Sequence, residues 1–169
     1  MDLKAVQAPI KERYGEEPNE ARITLTARAS EGDAPVACSV DAGRALQAAE
    51  AHAGVGGPGT GACSGDLLLG ALAACAQITC QMVVASMGIE TERIEVTVEG
   101  DLDLRGTLGV SREARVGFDA IRVRFAVEAP GADPGQIASL GEKTERYCTV
   151  LQTLLDPPPI ETTLDAEPG

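Results

Sequence analysis

Apolar and polar residues alternate at a period of two in three stretches of the chain. Ile23, Leu25 and Ala27 do so in "RITLTARAS"; Ile94, Val96 and Val98, continuing to Leu102 and Leu104, do so in "RIEVTVEGDLDL"; Ile121, Val123, Phe125 and Val127 do so in "FDAIRVRFAVEAP". Successive side chains of a strand point to opposite faces, so each stretch predicts a half-buried strand. "EGDAP" supplies a turn after the first, and "VACSV" (36–40) pairs back on it as a hairpin. A weaker segment from Val110 to Val116 links the other two strands. Between them the pattern changes: "SGDLLLGALAACAQITCQMVVASMG" is apolar on nearly every face. Ser64 is a good N-cap, Asp66 complements the dipole of the first turn and Gly88 is a natural stop, which predicts a helix from Ser64 to Met87. A helix apolar all round is buried on all sides.

"DAGRALQAAEAH" (41–52) has a weak helical pattern but contains Gly43, and its type stays open. A second helix opens at Asp133 with Pro134 in the first helical position, carries Ile137 and Leu140 on one stripe and breaks near Tyr147. "PPPIETTLD" closes the chain as a strand-like segment. Strands, a long buried helix, strands, a helix and a strand together favour an α+β domain over a doubly wound parallel sheet. Residues 1–20, with Pro9 and Pro18, form a polar lead-in, and residues 21–169 form one domain.

The apolar run reaches the length of a membrane span. Ser64, Asp66, Gln77, Thr79 and Gln81 interrupt it and no basic flanks frame it, so it reads as a core helix. The net charge of −12, from 26 acidic against 14 basic residues, argues against nucleic acid or an anionic membrane surface as partner. No basic segment precedes an apolar one at the N-terminus, so the expectation is a cytoplasmic protein.

Five cysteines stand at positions 38, 63, 75, 80 and 148, with no C-x-x-C and no histidine at ligand spacing, so no metal site is expected. "GVGGPGTG" has the glycines of a phosphate loop but neither its lysine nor its preceding strand, and no cofactor is expected. The lone histidine, His52, reads as a loop residue. On the residues alone, a cysteine in a buried helix is a small hydrophobe. A reactive one needs its thiolate stabilised by a cation or a helix N-terminus. Cys75 is ten residues beyond Gly65, too far along the helix for its own N-terminus to help, so another element has to supply an arginine. Cys80, five residues on, lies about 140° around the helix and off the Cys75 face.

"SGDLLLGALAACAQITCQMVVASMGIE" followed by "LGEKTERYCTVLQTLL" resembles the OsmC-like group, which includes osmotically inducible and organic hydroperoxide resistance proteins, over roughly residues 20 to 165. The resemblance implies antiparallel sheets wrapped around long central helices in an intertwined homodimer, with active sites at the subunit boundary. It also implies a cysteine in the central helix that reacts with peroxide, matched by Cys75 in "ALAACA", and a resolving cysteine, matched by Cys148 in "ERYCTV". In the family a glutamate before this helix holds an arginine from the N-terminal hairpin region. Here Gly65-Asp66 stands there, so Asp66 is either that arginine's partner or a first-turn dipole partner; Arg28 is the favoured arginine, with Arg44 its competitor. Thr149 follows Cys148 where the family often has proline.

The function implied is a thiol peroxidase that reduces organic hydroperoxides, and some hydrogen peroxide, and is restored by a dithiol reductant. The alternative is a non-catalytic dimer of the same fold that binds a small apolar ligand. A thiol or metal buffer is disfavoured by the lack of clustered cysteine and histidine. With two tyrosines, two phenylalanines and no tryptophan, any substrate cavity would be aliphatic and suit a fatty acyl tail.

Overall fold

A computed structural model describes residue 16 and residues 28–31, 37–41, 46–109 and 111–166. Strands β1 (Arg28–Glu31), β2 (Ala37–Asp41) and β3 (Leu46–Glu50) form an antiparallel sheet in that order, with Arg28 opposite Asp41 and Ala37 opposite Glu50. The hairpin expected around "EGDAP" is therefore present, while residues 22–27 of the first expected strand lie outside the described residues. β3 resolves the segment of open type. A weak helical pattern yields to strand because β2 offers it a ladder of hydrogen bonds, a tertiary override of a small local preference.

The glycine-rich loop after β3 folds back on Glu50. The Glu50 carboxylate accepts hydrogen bonds from the N–H groups of Thr60 and Gly61, the latter at 2.6 Å, and from the Thr60 hydroxyl at 3.1 Å. These donors, Gly61 N–H foremost, hold the Glu50 carboxyl below its ordinary value. Helix α1 (Ser64–Met87) follows, with Cys63 rather than Ser64 at the capping position. It ends at Gly88, whose φ of 70° is left-handed and strained for a residue with a side chain.

β4 (Arg93–Leu102) and β5 (Phe118–Glu128) form a second antiparallel sheet, running from Arg93 opposite Glu128 to Leu102 opposite Phe118. Ile94, Val96 and Val98 on one strand and Val123, Phe125 and Val127 on the other share the inner face, as their alternation predicted, and pack on α1. On the outer face Arg122 pairs with Glu99 at 3.4 Å and Asp101 at 2.5 Å. Gly100 is required by close approach, since a Cβ there would stand 2.5 Å from the Phe118 ring. The strand stops at Leu102, short of the alternation's end at Leu104. Asp103 accepts a hydrogen bond from Arg105 N–H at 3.0 Å and starts the short helix α2 (Leu104–Thr107) instead.

Helix α3 (Pro134–Tyr147) begins and ends as the sequence predicts, and α4 (Thr149–Leu155) follows after the single residue Cys148. Residues 157–166 have no regular structure, with Ile160 81% and Leu164 90% exposed, so the strand expected in "PPPIETTLD" does not form. Its three consecutive prolines remove three ladder donors.

The core has two parts strung along α1. Cys80, Val83, Val84 and Ile89 pack with Leu140 of α3, and Leu72 and Ala76 pack with Cys148. The expectation that α1 is buried on all sides fails for this single chain: Leu68 is 39% and Ile78 55% exposed. One sheet and two helices cover one side of α1, and among the described residues no element covers the other.

The start of α3 sets where its far end, Cys148, is placed. Asp133 accepts hydrogen bonds from Gly135 N–H at 2.8 Å and Gln136 N–H at 3.0 Å, and the Gln136 side chain accepts from Asp133 N–H at 3.0 Å. Asp133→Ala is expected to lower unfolding stability by about 1 kcal/mol, read as a shifted midpoint in urea.

Candidate active site

A thiol in the middle of a helix finds no free backbone donor on its own element, because every N–H there already serves the carbonyl four residues back. Cys75 of α1 is in this position. Around it the helix surface divides: Leu72, Ala76 and Thr79 are buried, while Ala71, Ala74 and Ile78 are exposed, which puts the half-buried Cys75 at the edge of the core. Across that edge lies the junction between α3 and α4.

Cys148 forms this junction. Its N–H donates to Thr144 O at 3.0 Å and completes α3, and its carbonyl accepts from Gln152 N–H at 2.9 Å and opens α4. Its extended ψ of 102° turns the chain between the two. The first N–H groups of α4 have no partner within their own helix. Those of Val150 and Thr149 favour charge on the Cys75 sulfur, and those of Leu151 and Val150 on the sulfur of Cys148. The two thiols, 75 and 148, both free, meet in one apolar cluster with Leu72 and Ala76.

The surroundings drive the two sulfurs apart in acidity. On Cys75 burial is the largest influence and pushes the thiol up. Hydrogen bonds from Val150 N–H, the Cys148 thiol, the Thr79 hydroxyl and Thr149 N–H outweigh it and hold Cys75 below the ordinary thiol value. On Cys148, wholly inaccessible, burial again leads. Donating its proton toward Cys75, and lying beside that developing charge, keeps Cys148 above the ordinary value despite the N–H groups of Leu151 and Val150. Cys80, 1% exposed, is pushed up by burial, opposed only by the Thr144 hydroxyl. It behaves as the core hydrophobe its place on the helix predicted.

The other candidates lie elsewhere. Asp66 accepts from Cys63 N–H at 2.9 Å, and this bond, with the Cys63 thiol, holds its carboxyl below the ordinary value. It stands nine residues, or about 13 Å, before Cys75 along the helix. Arg28 occupies β1, but its side chain, like that of Cys38 and all of Arg44, lies outside the described residues. His52 is exposed and caps the turn after β3, its Nδ1 accepting from Gly54 N–H at 3.0 Å. With Cys63, Leu68, Leu102 and Phe118 it lines an apolar cavity of about 560 Å³ at the start of α1, which Cys75 does not line. Sequence reasoning missed Thr79 and the α4 donors. The signals for them were the four-residue spacing from Cys75 to Thr79 and the cysteine placed at a helix break.

On titration of the reduced protein with iodoacetamide across a pH series, Cys75 is expected to be alkylated at lower pH than Cys80 or Cys148. Tandem mass spectrometry at each site measures this, and the same midpoint for all three would contradict the charge distribution described.

Comparison with known proteins follows the same lines. The profile of the OsmC-like protein family matches residues 57–163, which include both thiols and the helices that carry them. Among solved structures, the fold is similar to an OsmC-like protein from Mycoplasma pneumoniae at 18% identity and a TM-score of 0.61, covering 80% of this chain and 89% of that one. It is similar to an organic hydroperoxide resistance protein from Elizabethkingia anophelis at 21% identity and a TM-score of 0.60, covering 80% and 91%. An OsmC-like protein of unknown function from Vibrio cholerae aligns at 11% identity with a TM-score of 0.64, covering 78% and 94%. No curated protein matches the chain. With the family profile spanning the central helix and the α3–α4 junction, the chain belongs to the OsmC-like family.

Proposed function

We propose that this protein is a thiol-dependent peroxidase in which Cys75 attacks organic hydroperoxides and Cys148 resolves the product. The observation that carries the reading is the contact between two free thiols from distant parts of the chain, the accessible one favoured as thiolate and the buried one as thiol. The Cys75 thiolate attacks the distal peroxide oxygen; the O–O bond breaks, Cys75 becomes a sulfenic acid and the alkoxide leaves as the alcohol after taking a proton. Cys148 then attacks the sulfenic sulfur, forming the disulfide and releasing water. A dithiol reductant exchanges through a mixed disulfide and restores both thiols. Family membership and the likeness to named hydroperoxide resistance proteins support the substrate class.

In this reading the uncovered side of α1, with Ile78 55% exposed, is covered by a second copy in a homodimer. Cys75 then lies at the subunit boundary, and a hydroperoxide with an aliphatic tail approaches from that side. The protein acts in the cytoplasm, where the reductant keeps its thiols free. An arginine, Arg28 in the favoured assignment, adds a cation to the neutral donors, with Asp66 as its proposed carboxylate partner.

One equivalent of cumene hydroperoxide is expected to remove two of the five thiols and to link 75 to 148 in a peptide map. Cys75→Ser should abolish turnover, and Cys80→Ala should leave it nearly intact. Loss of no thiol, under conditions that oxidise a known thiol peroxidase, would favour a ligand-binding dimer instead. For the cation, Arg28→Ala should raise the alkylation midpoint of Cys75 and slow peroxide reduction about tenfold for each pH unit. A shift in Arg44→Ala alone would transfer the role to Arg44.

A further inference from the structure

A disulfide offers a reductant two sulfurs, and exchange is directional: the incoming thiolate approaches along the S–S axis, bonds to one sulfur and expels the other. Which sulfur it reaches decides which protein thiol is released first. Acidity alone favours attack on Cys148, because the more acidic thiol, Cys75, is the better leaving group. Access opposes it. Cys148 has no exposed surface, and Thr144, one turn before it, is 1% exposed. Three hydrogen bonds hold this junction shut. Cys148 N–H donates to Thr144 O at 3.0 Å, the Cys148 carbonyl accepts from Gln152 N–H at 2.9 Å, and the Gln152 side chain reaches back across the turn to donate to Glu145 O at 2.9 Å. Uncovering Cys148 breaks the end of α3, the start of α4 or both. Cys75 is half-buried on a continuous helix, beside the exposed residues Ala71, Ala74 and Ile78, so its sulfur is reached without opening any element.

We propose that the reductant attacks the Cys75 sulfur of the Cys75–Cys148 disulfide, so that Cys148 is the thiol released first. The inference rests on these two cysteines forming the disulfide of the proposed cycle. One thiolate of the dithiol bonds to Cys75 Sγ as the S–S bond breaks; the electron pair leaves with Cys148, which takes a proton. The second thiolate of the reductant then attacks the reductant's own sulfur in the mixed disulfide, closing the reductant's disulfide and releasing Cys75 as thiolate. Both electrons come from the reductant. Cys75 is thus the nucleophile toward peroxide and the electrophile toward the reductant through one opening, and the clamp across the α3–α4 junction keeps Cys148 covered in both halves of the cycle.

The test makes the disulfide with diamide and needs no hydroperoxide. Oxidised full-length protein is mixed with excess N-acetylcysteine, quenched in acid within the first turnover, alkylated with N-ethylmaleimide and mapped by tandem mass spectrometry. N-acetylcysteine on Cys75 with maleimide on Cys148 is expected to exceed the reverse pattern about tenfold or more. The reverse pattern, or equal amounts of the two, would overturn the proposal, and so would failure of diamide to link 75 to 148. If no adduct accumulates, a rate decides. Ala71→Leu, crowding the open side of Cys75 one turn away, should slow reduction of the disulfide by dithiothreitol severalfold in the folded protein but not in urea. An unchanged folded rate, with native circular dichroism, would count against attack at Cys75. Ala74→Leu is read in the same way if Ala71→Leu does not fold. Wild-type protein that shows the expected adducts yet consumes no cumene hydroperoxide would sink the peroxidase reading alone and leave the order of attack standing.

Discussion

The saturation of backbone donors within a helix governs this site. An α-helix gives Cys75 a fixed place and a dry surround, but none of the charge stabilisation a thiolate needs. Donors therefore have to come from a place where helical hydrogen bonding is interrupted, and the interruption at Cys148 supplies them. The rest of the described fold holds that interruption against α1. The capped start of α3 fixes one end of the arm, Leu140 anchors its middle among Cys80, Val83 and Val84, and the inner face of the β4–β5 sheet supports α1 from behind.

The two thiols differ less in burial than in what they are offered. Burial is the leading influence on both and opposes ionisation of both. Cys75 receives four donors, one of them the Cys148 thiol itself, so the proton that Cys148 retains helps Cys75 to lose its own. Access reinforces the division, because Cys148 is wholly covered while Cys75 borders the exposed side of α1. A reagent arriving from solvent meets the more acidic sulfur first.

Local patterns were legible where one element's own residues decided the outcome. The bounds of α1, the inner faces of β4 and β5, the Asp133-Pro134 start and the break after Tyr147 all follow from period, cap and turn chemistry. Features that depend on a second element were not. Leu46–Glu50 became a strand because β2 was there to pair with it, and residues 157–166 stayed irregular because their prolines have no ladder to join. Cys75 and Cys148 were legible only through family resemblance. The side chain of the arginine that the sequence reading looked for lies outside the described residues; the donors described around Cys75 are two backbone N–H groups, the Cys148 thiol and the Thr79 hydroxyl.

Neutral donors and a cation stabilise a thiolate in physically different ways. Amide and hydroxyl dipoles act at hydrogen-bond range and are held in place by the fold, so dissolved salt hardly weakens them. A guanidinium acts over a longer range and is screened wherever solvent reaches it. Cys75 sits at the edge of the core, where both regimes apply. Its inner side faces Thr79 and the start of α4, and its outer side faces the surface that a partner subunit would cover in the proposed dimer. An arginine arriving on that outer side acts at full strength only once the surface is dry. In the proposed dimer, assembly, substrate entry and the cation would thus meet on the outer face of α1, while the inner donors act whether or not that face is covered.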